Sequence, residues 1–173
     1  MATTKAPSKG LEDLLLDQLK DTYYAEKKIL KALPKMAKGA QSAKLSAAFR
    51  KHLEETEGQV ERLERVFELL GKPAKGKTCP AIDGILEEGA ETLEEYKGAP
   101  ALDAGLIAAA QAVEHYEIAR YGTMVAWAET LGMNEAVSLL KQTLDQEEAT
   151  DIGLTELADK GINDTAAETK QAA

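Results

Sequence analysis

The feature that most constrains this chain is an internal match between its two halves. Shifted by 91 positions, the segment beginning at Leu11 falls on the segment beginning at Leu102 without a gap. Leu15 then meets Leu106, Ala37 meets Ala128, Leu53 meets Leu144 and Leu63 meets Leu154. Leucines alone would say little, because any two amphipathic helices share an apolar stripe. Two acidic residues survive the shift as well, Glu26 landing on Glu117 and Glu57 on Glu148. Carboxylates that recur at or beside an apolar stripe imply a repeated unit with a polar feature inside it.

Each half reads as a helical hairpin. The first helix is expected from about Leu11 to Lys38, with Leu15, Leu19, Thr22/Tyr23, Glu26, Ile29/Leu30, Leu33 and Ala37 on one face and Pro34 loosening its last turn. A short break at residues 39–42 turns the chain back into a second helix ending near Leu70, where Gly71 and Pro73 stop it. Its stripe is Leu45, Phe49, Leu53, Thr56, Val60, Leu63, Phe67 and Leu70, with Glu57 at the border. A basic loop over 72–80 and a short acidic helix over 81–96 form a long connection. The second hairpin is expected over about 101–131 and 134–160, broken at Gly132 and stopped by Gly161. The last stripe holds Ala136, Leu140, Leu144, Glu147/Glu148, Asp151, Leu154 and Ala158. Two antiparallel hairpins joined by a crossover with a short fifth helix make an all-α four-helix bundle. The domain is placed at residues 11–162, between a flexible start (1–10) and a flexible tail (163–173).

Bulk properties exclude several function classes. At 173 residues, with alanine, leucine, glutamate and lysine dominant and 5% aromatics, the chain is one domain with a sizeable core. A formal charge of -9 argues against nucleic acid and anionic membranes as partners. The single Cys79 allows no internal disulfide, and the first ten residues lack the apolar run of a secretory leader. No apolar run is long enough to span a membrane. A reducing cytoplasm is the expected setting.

The chemistry concentrates where the polar repeats fall. Glu114 and Glu117 lie three apart, about 300° of helical rotation, so both leave the same side of an apolar helix. The hairpin symmetry brings Glu26, Glu57, Glu117 and Glu148 to face one another, one from each helix. Four convergent carboxylates cannot all stay charged in a dry core, and two divalent cations would neutralise them. Carboxylate oxygens suit iron or manganese. Glu114 and Asp151 add further oxygens from the third and fourth helices. Glu147 sits on its stripe as well as Glu148 does, and Glu55 flanks Glu57, so the register on these two helices stays open.

The segments around Glu26 (16–30), Glu57 (52–64), Glu114/Glu117 (114–121) and Glu148/Asp151 (144–151) together resemble the YciE/YciF-type proteins of the ferritin-like superfamily. The resemblance covers about 11–162. It implies a ferritin-like fold, a homodimer, a link to stress responses and a metal site similar to that of rubrerythrin, with the biochemical activity unsettled. Carried over, Glu26 fills the first-helix ligand place, Glu114 and Glu117 the paired third-helix place, and Glu57 and Glu148 the bridging places. Iron(II) would be oxidised there by oxygen or peroxide at an open position. The usual Glu-x-x-His histidines are replaced by Val60 and Asp151. His52 is read as hydrogen-bonded or exposed and His115 as outside the site, while Tyr23 and Tyr121 are candidates to hydrogen-bond ligating carboxylates. The competing function is a structural or partner-binding helical protein whose metal site is vestigial or only stabilising.

Overall fold

The computed structural model describes residues 9–168. Its elements are α1 (Leu11–Gly39), α2 (Ala43–Leu69), α3 (Pro80–Glu95), α4 (Leu102–Thr130), α5 (Asn134–Leu157), a kinked segment (Ala158–Ile162) and α6 (Asn163–Ala167). The α1–α2 and α4–α5 pairs are antiparallel hairpins, and their packing on each other, α1 against α4 and α2 against α5, closes the bundle. Cross-helix hydrogen bonds fix the directions. Tyr23 reaches Glu64 (2.7 Å) while Ser46 reaches the Ala37 carbonyl (2.6 Å), so low numbers on α1 oppose high numbers on α2. Arg62 meets Thr143 (2.9 Å) and Arg65 meets Glu135 (3.0 Å), so α2 and α5 are also antiparallel.

Local chemistry sets the turns. Ser42 caps α2 by accepting from the Leu45 amide (3.4 Å). Asp103, buried on α4, accepts from the amides of Gln41 (2.8 Å) and Ser42 (2.6 Å). One hairpin thus supplies the acceptors for backbone amides that the turn of the other leaves unpaired. At the second turn Gly132 takes φ 70, and the Met133 amide closes onto the Ala128 carbonyl (2.9 Å), a six-residue closure that favours glycine at the left-handed position. Pro34 lies inside α1 without ending it.

The crossover is tied down along its length. The Lys77 amide donates to the Lys20 carbonyl (3.1 Å), and Tyr24 donates to Asp83 (2.8 Å), which also pairs with Lys28 (3.1 Å). The connection therefore runs along α1 before α3 packs against α4 and α1. Ile82 and Gly89 face inward, while Glu87, Glu88, Glu91, Glu94 and Glu95, the charges of the expected acidic helix, are all exposed. Cys79, at the end of the loop expected over 72–80, is buried with its Sγ 3.1 Å from the Tyr116 hydroxyl.

The chain's end differs in part from expectation. The α-helix proper finishes at Leu157, and helical geometry breaks where expected, at Lys160 (φ -89, ψ 24) and Gly161 (φ 126). Residues 163–167, read as part of a flexible tail, form α6, which packs against α4. The rest of that tail (169–173) and most of the expected flexible start (1–8) lie outside the described residues.

The core is divided. One apolar cluster gathers Ile29, Leu33, Leu45, Phe49, Leu102, Leu106, Ala110 and Leu154 at one end. A second gathers Leu15, Leu19, Leu63, Phe67, Tyr121, Met124 and Leu140 at the other. Between them every long helix buries polar residues: Thr22 and Glu26 on α1, His52, Thr56 and Gln59 on α2, Glu114 and Glu117 on α4, Thr143 and Glu147 on α5. Apolar ends sandwich a polar layer at mid-height.

Candidate metal centre

The helical phase of each element decides which side chains enter this layer. On α2 the buried residues Leu45, Phe49, His52, Thr56, Gln59, Leu63 and Val66 alternate in steps of four and three, the spacing of one continuous helix face. On α5 the same spacing runs through Ala136, Leu140, Thr143 and Glu147. Glu57 and Glu148 are each one residue beyond a buried position, about 100° around the helix, and both are exposed. The expected pair from α2 and α5 is therefore corrected by one residue. The inward counterparts under the same 91-residue shift are Thr56 and Glu147. The repeat is blind to this phase, because both pairs satisfy it.

Four side chains converge. His52, Glu114, Glu117 and Glu147 each offer a donor atom within 4.8 Å of the others, and all four are buried. His52 Nε2 lies 3.5 Å from Glu114 Oε1 and 3.7 Å from Glu147 Oε2. Glu26, from α1, sits against Glu117 and is also fully buried. Of the sequence-derived candidates, Glu26, Glu114 and Glu117 come together here. Asp151 does not join them: it is half-buried at the α4–α5 seam, accepting from Gln111 (3.0 Å) and facing His115 Nε2 (3.1 Å). The residues missed from sequence were His52 and, as the preferred α5 ligand, Glu147. The four-and-three spacing leading from Leu45 and Phe49 to Leu63 would have pointed to His52.

The layer has more acceptors than donors. Tyr121 donates to Glu26 Oε1, and Gln59 donates to Glu147 Oε1. Tyr121 thus bonds one of the candidate carboxylates, whereas Tyr23 turns to Glu64 instead. Arg62 braces the α2–α5 seam through Thr143 and Gln146. Beyond these contacts, both oxygens of Glu117, Oε2 of Glu26, Glu114 and Glu147, and Nε2 of His52 have no hydrogen-bond partner among the described residues. Buried polar atoms left this way are costly. Three of the carboxyls are shifted toward their neutral forms. Burial first, then the Glu26 and Glu147 charges, raises Glu117 well above the usual carboxylate range. Burial, then Glu147, does the same to Glu114. Burial and Glu147 raise Glu26, against the Tyr121 hydrogen bond, which lowers it. A divalent cation supplies the missing positive charge at the same oxygens, so the donor set fits a metal of the iron or manganese kind, with one imidazole nitrogen among carboxylates.

The two positions three residues after Thr56 and Glu147 are Gln59 and Thr150, neither an imidazole. His52 instead comes from one turn earlier on α2. Thr150 Oγ1 lies 3.4 Å from the other ring nitrogen, Nδ1, a contact that steadies the imidazole with Nε2 toward the cluster.

Comparison with known proteins agrees with this architecture. Residues 10–167 match the family described as a domain of unknown function, DUF892. Protein YciF of Escherichia coli K12 is 49% identical over 156 residues, covering 90% of this chain and 94% of that protein. The crystal structure of that E. coli stress protein superposes with a TM-score of 0.86 over 90% of this chain and 99% of the other. YcfI of Rhodopseudomonas palustris, provisionally assigned a structural role, is 50% identical with a TM-score of 0.83, covering 87% of this chain and 96% of its own. A protein of Xanthomonas campestris, at 23% identity and a TM-score of 0.70, shares the fold. The chain is a ferritin-like four-helix bundle and belongs to the YciE/YciF-type family, DUF892.

Proposed function

We propose that this protein binds a pair of divalent cations, iron first, in the mid-bundle polar layer and serves in a stress or oxidant response. The observation that carries the reading is the donor deficit: four buried carboxylates from three helices with unpartnered oxygens and one buried imidazole aimed at them. Glu26, Glu114, Glu117 and Glu147, with His52, would hold the ions. Four carboxylates balance two divalent charges, which favours two ions over one. Iron(II) bound in such a site supplies electrons to oxygen or peroxide. The chain's own contributions are positional. Tyr121 fixes one oxygen of Glu26, Gln59 fixes one of Glu147, and the apolar clusters on either side keep bulk water out. The similarity to a stress protein supports the physiological setting. The homodimer and the cytoplasmic location belong to the same reading through the family resemblance, and light scattering tests the dimer.

A second reading, a purely stabilising site in a structural or partner-binding protein, is favoured by Gln59 and Thr150 standing where Glu-x-x-His sites carry imidazoles. Elemental analysis of protein purified without chelators, followed by anaerobic iron(II) titration and exposure to peroxide, separates the two. About two metals per chain with peroxide-dependent oxidation supports the first reading. Stoichiometric binding that only raises the melting temperature supports the second. Failure to retain metal under any loading condition sinks the site itself.

A further inference from the structure

The polar layer is sealed by apolar clusters above and below, yet ions must reach it. A cavity of about 140 Å³ opens between α2 and α5, and it is lined by His52 and Glu114 together with Lys51, Glu55, Ala149 and Gly153. A water takes about 30 Å³ in the liquid, so the cavity has room for a few waters or a hydrated ion. Small residues keep it open: Gly153 is exposed, and a methyl group added there would meet nothing within 4 Å.

Glu55 is placed between solvent and layer. Its side chain is 20% exposed, and Oε1 pairs with Lys51 at 2.6 Å. Oε2 is buried without a hydrogen-bond partner among the described residues, 3.8 Å from His52 Nδ1. The imidazole stands between the two compartments. Its Nδ1 faces Glu55 and Thr150, and its Nε2 faces Glu114 and Glu147. We propose that this cavity is the cation-uptake site, with Glu55 as a transit ligand that passes a divalent cation inward to His52 and Glu114. The inference rests on the metal-binding reading above and adds the route and its outer residue. Glu55 offers a carboxylate oxygen with no hydrogen-bond partner among the described residues, on a side chain that solvent partly reaches. Lys51, held by Glu55, acts against uptake by competing for the same carboxylate.

Cobalt(II) added to chelator-stripped full-length protein reports uptake through its visible absorption in stopped flow. Glu55→Gln and Gly153→Leu, one removing the transit charge and one filling the mouth, should each slow uptake by about tenfold while leaving final stoichiometry and affinity at parent values. Lys51→Gln should accelerate it. Gly153→Leu raises helix propensity at an exposed position, so loss of folding does not obscure its result. Parent-like rates in both slowing variants, with normal final loading, overturn the route but leave the metal site standing. Reduced stoichiometry at an unchanged rate in Glu55→Gln makes Glu55 a resident ligand and overturns the transit role. A parent protein that takes up no cobalt removes the site and the route together.

Discussion

Neutralising Glu117 tests the energetic logic of the polar layer most directly. Its side chain is 0% exposed and neither oxygen has a hydrogen-bond partner among the described residues, so in metal-free protein its charged form is disfavoured. Burial, then Glu26, Glu147 and Glu114, raise its folded-state value above the ordinary 4.5. A carboxyl with a raised folded value contributes stability that is fully present below the unfolded value and is lost as pH rises toward the folded value, because the native state binds more protons across that window. Since pH 7 lies about 2.5 units above the ordinary 4.5, at roughly 1.4 kcal/mol per unit this loss has a ceiling of about 3.5 kcal/mol there. Glu117→Gln removes the titration and keeps the shape, but its amide still needs partners, at about 1–2 kcal/mol. The net expectation for metal-free protein at pH 7 is a gain of at most about 2 kcal/mol, or up to roughly 4–8 °C in melting temperature for a domain of this size. The gain should shrink as pH falls toward 5, where the parent carboxyl takes its proton at little cost. With metal present the order reverses, since the variant lacks a ligand. Calorimetry from pH 5 to 8, with chelator and with iron(II) or manganese(II), reads both effects. A metal-free variant clearly less stable than the parent at pH 7 would refute the idea that the layer is short of positive charge.

Two further perturbations separate the site from its scaffold. Glu147→Gln should lose metal while Glu148→Gln retains parent stoichiometry by elemental analysis, because only the first side chain is buried in the cluster; the reverse result would restore the other helical phase. Asp103→Ala, at the far end of the bundle, should cost about 2–3 kcal/mol in urea unfolding by stripping two backbone amides of their acceptor. Its metal stoichiometry in the folded protein should match the parent.

Much of the architecture was legible because helix periodicity, turn glycines and the 91-residue repeat all report on the same thing, the burial of apolar faces. The hairpins, the crossover helix with its exposed glutamates, and the placement of Glu26, Glu114 and Glu117 followed from those signals. The error on α2 and α5 has a physical cause. Within the polar layer, burial no longer tracks hydrophobicity, so Leu53, Val60 and Leu144, which flank the layer half-buried, drew the apparent stripe one residue away from His52, Gln59 and Thr143. The acidic matches Glu57 and Glu148 then looked internal although they face solvent. The tail was misread for a related reason: residues 163–167 are polar, and their short helix follows a kink at Gly161 and rests on α4 rather than on an apolar stripe of its own.

The sequence by itself determined the all-helical repeat, the antiparallel hairpins and the presence of carboxylates inside them, since each depends on spacing along one chain. Only the tertiary structure decided which carboxylates meet, that a histidine joins them, and that a cavity beside Glu55 leads to them. Those depend on the rotation of each helix about its own axis. That rotation is set by how four helices pack together, and a shift of one residue turns a side chain by about 100°, enough to exchange a buried ligand for a surface charge.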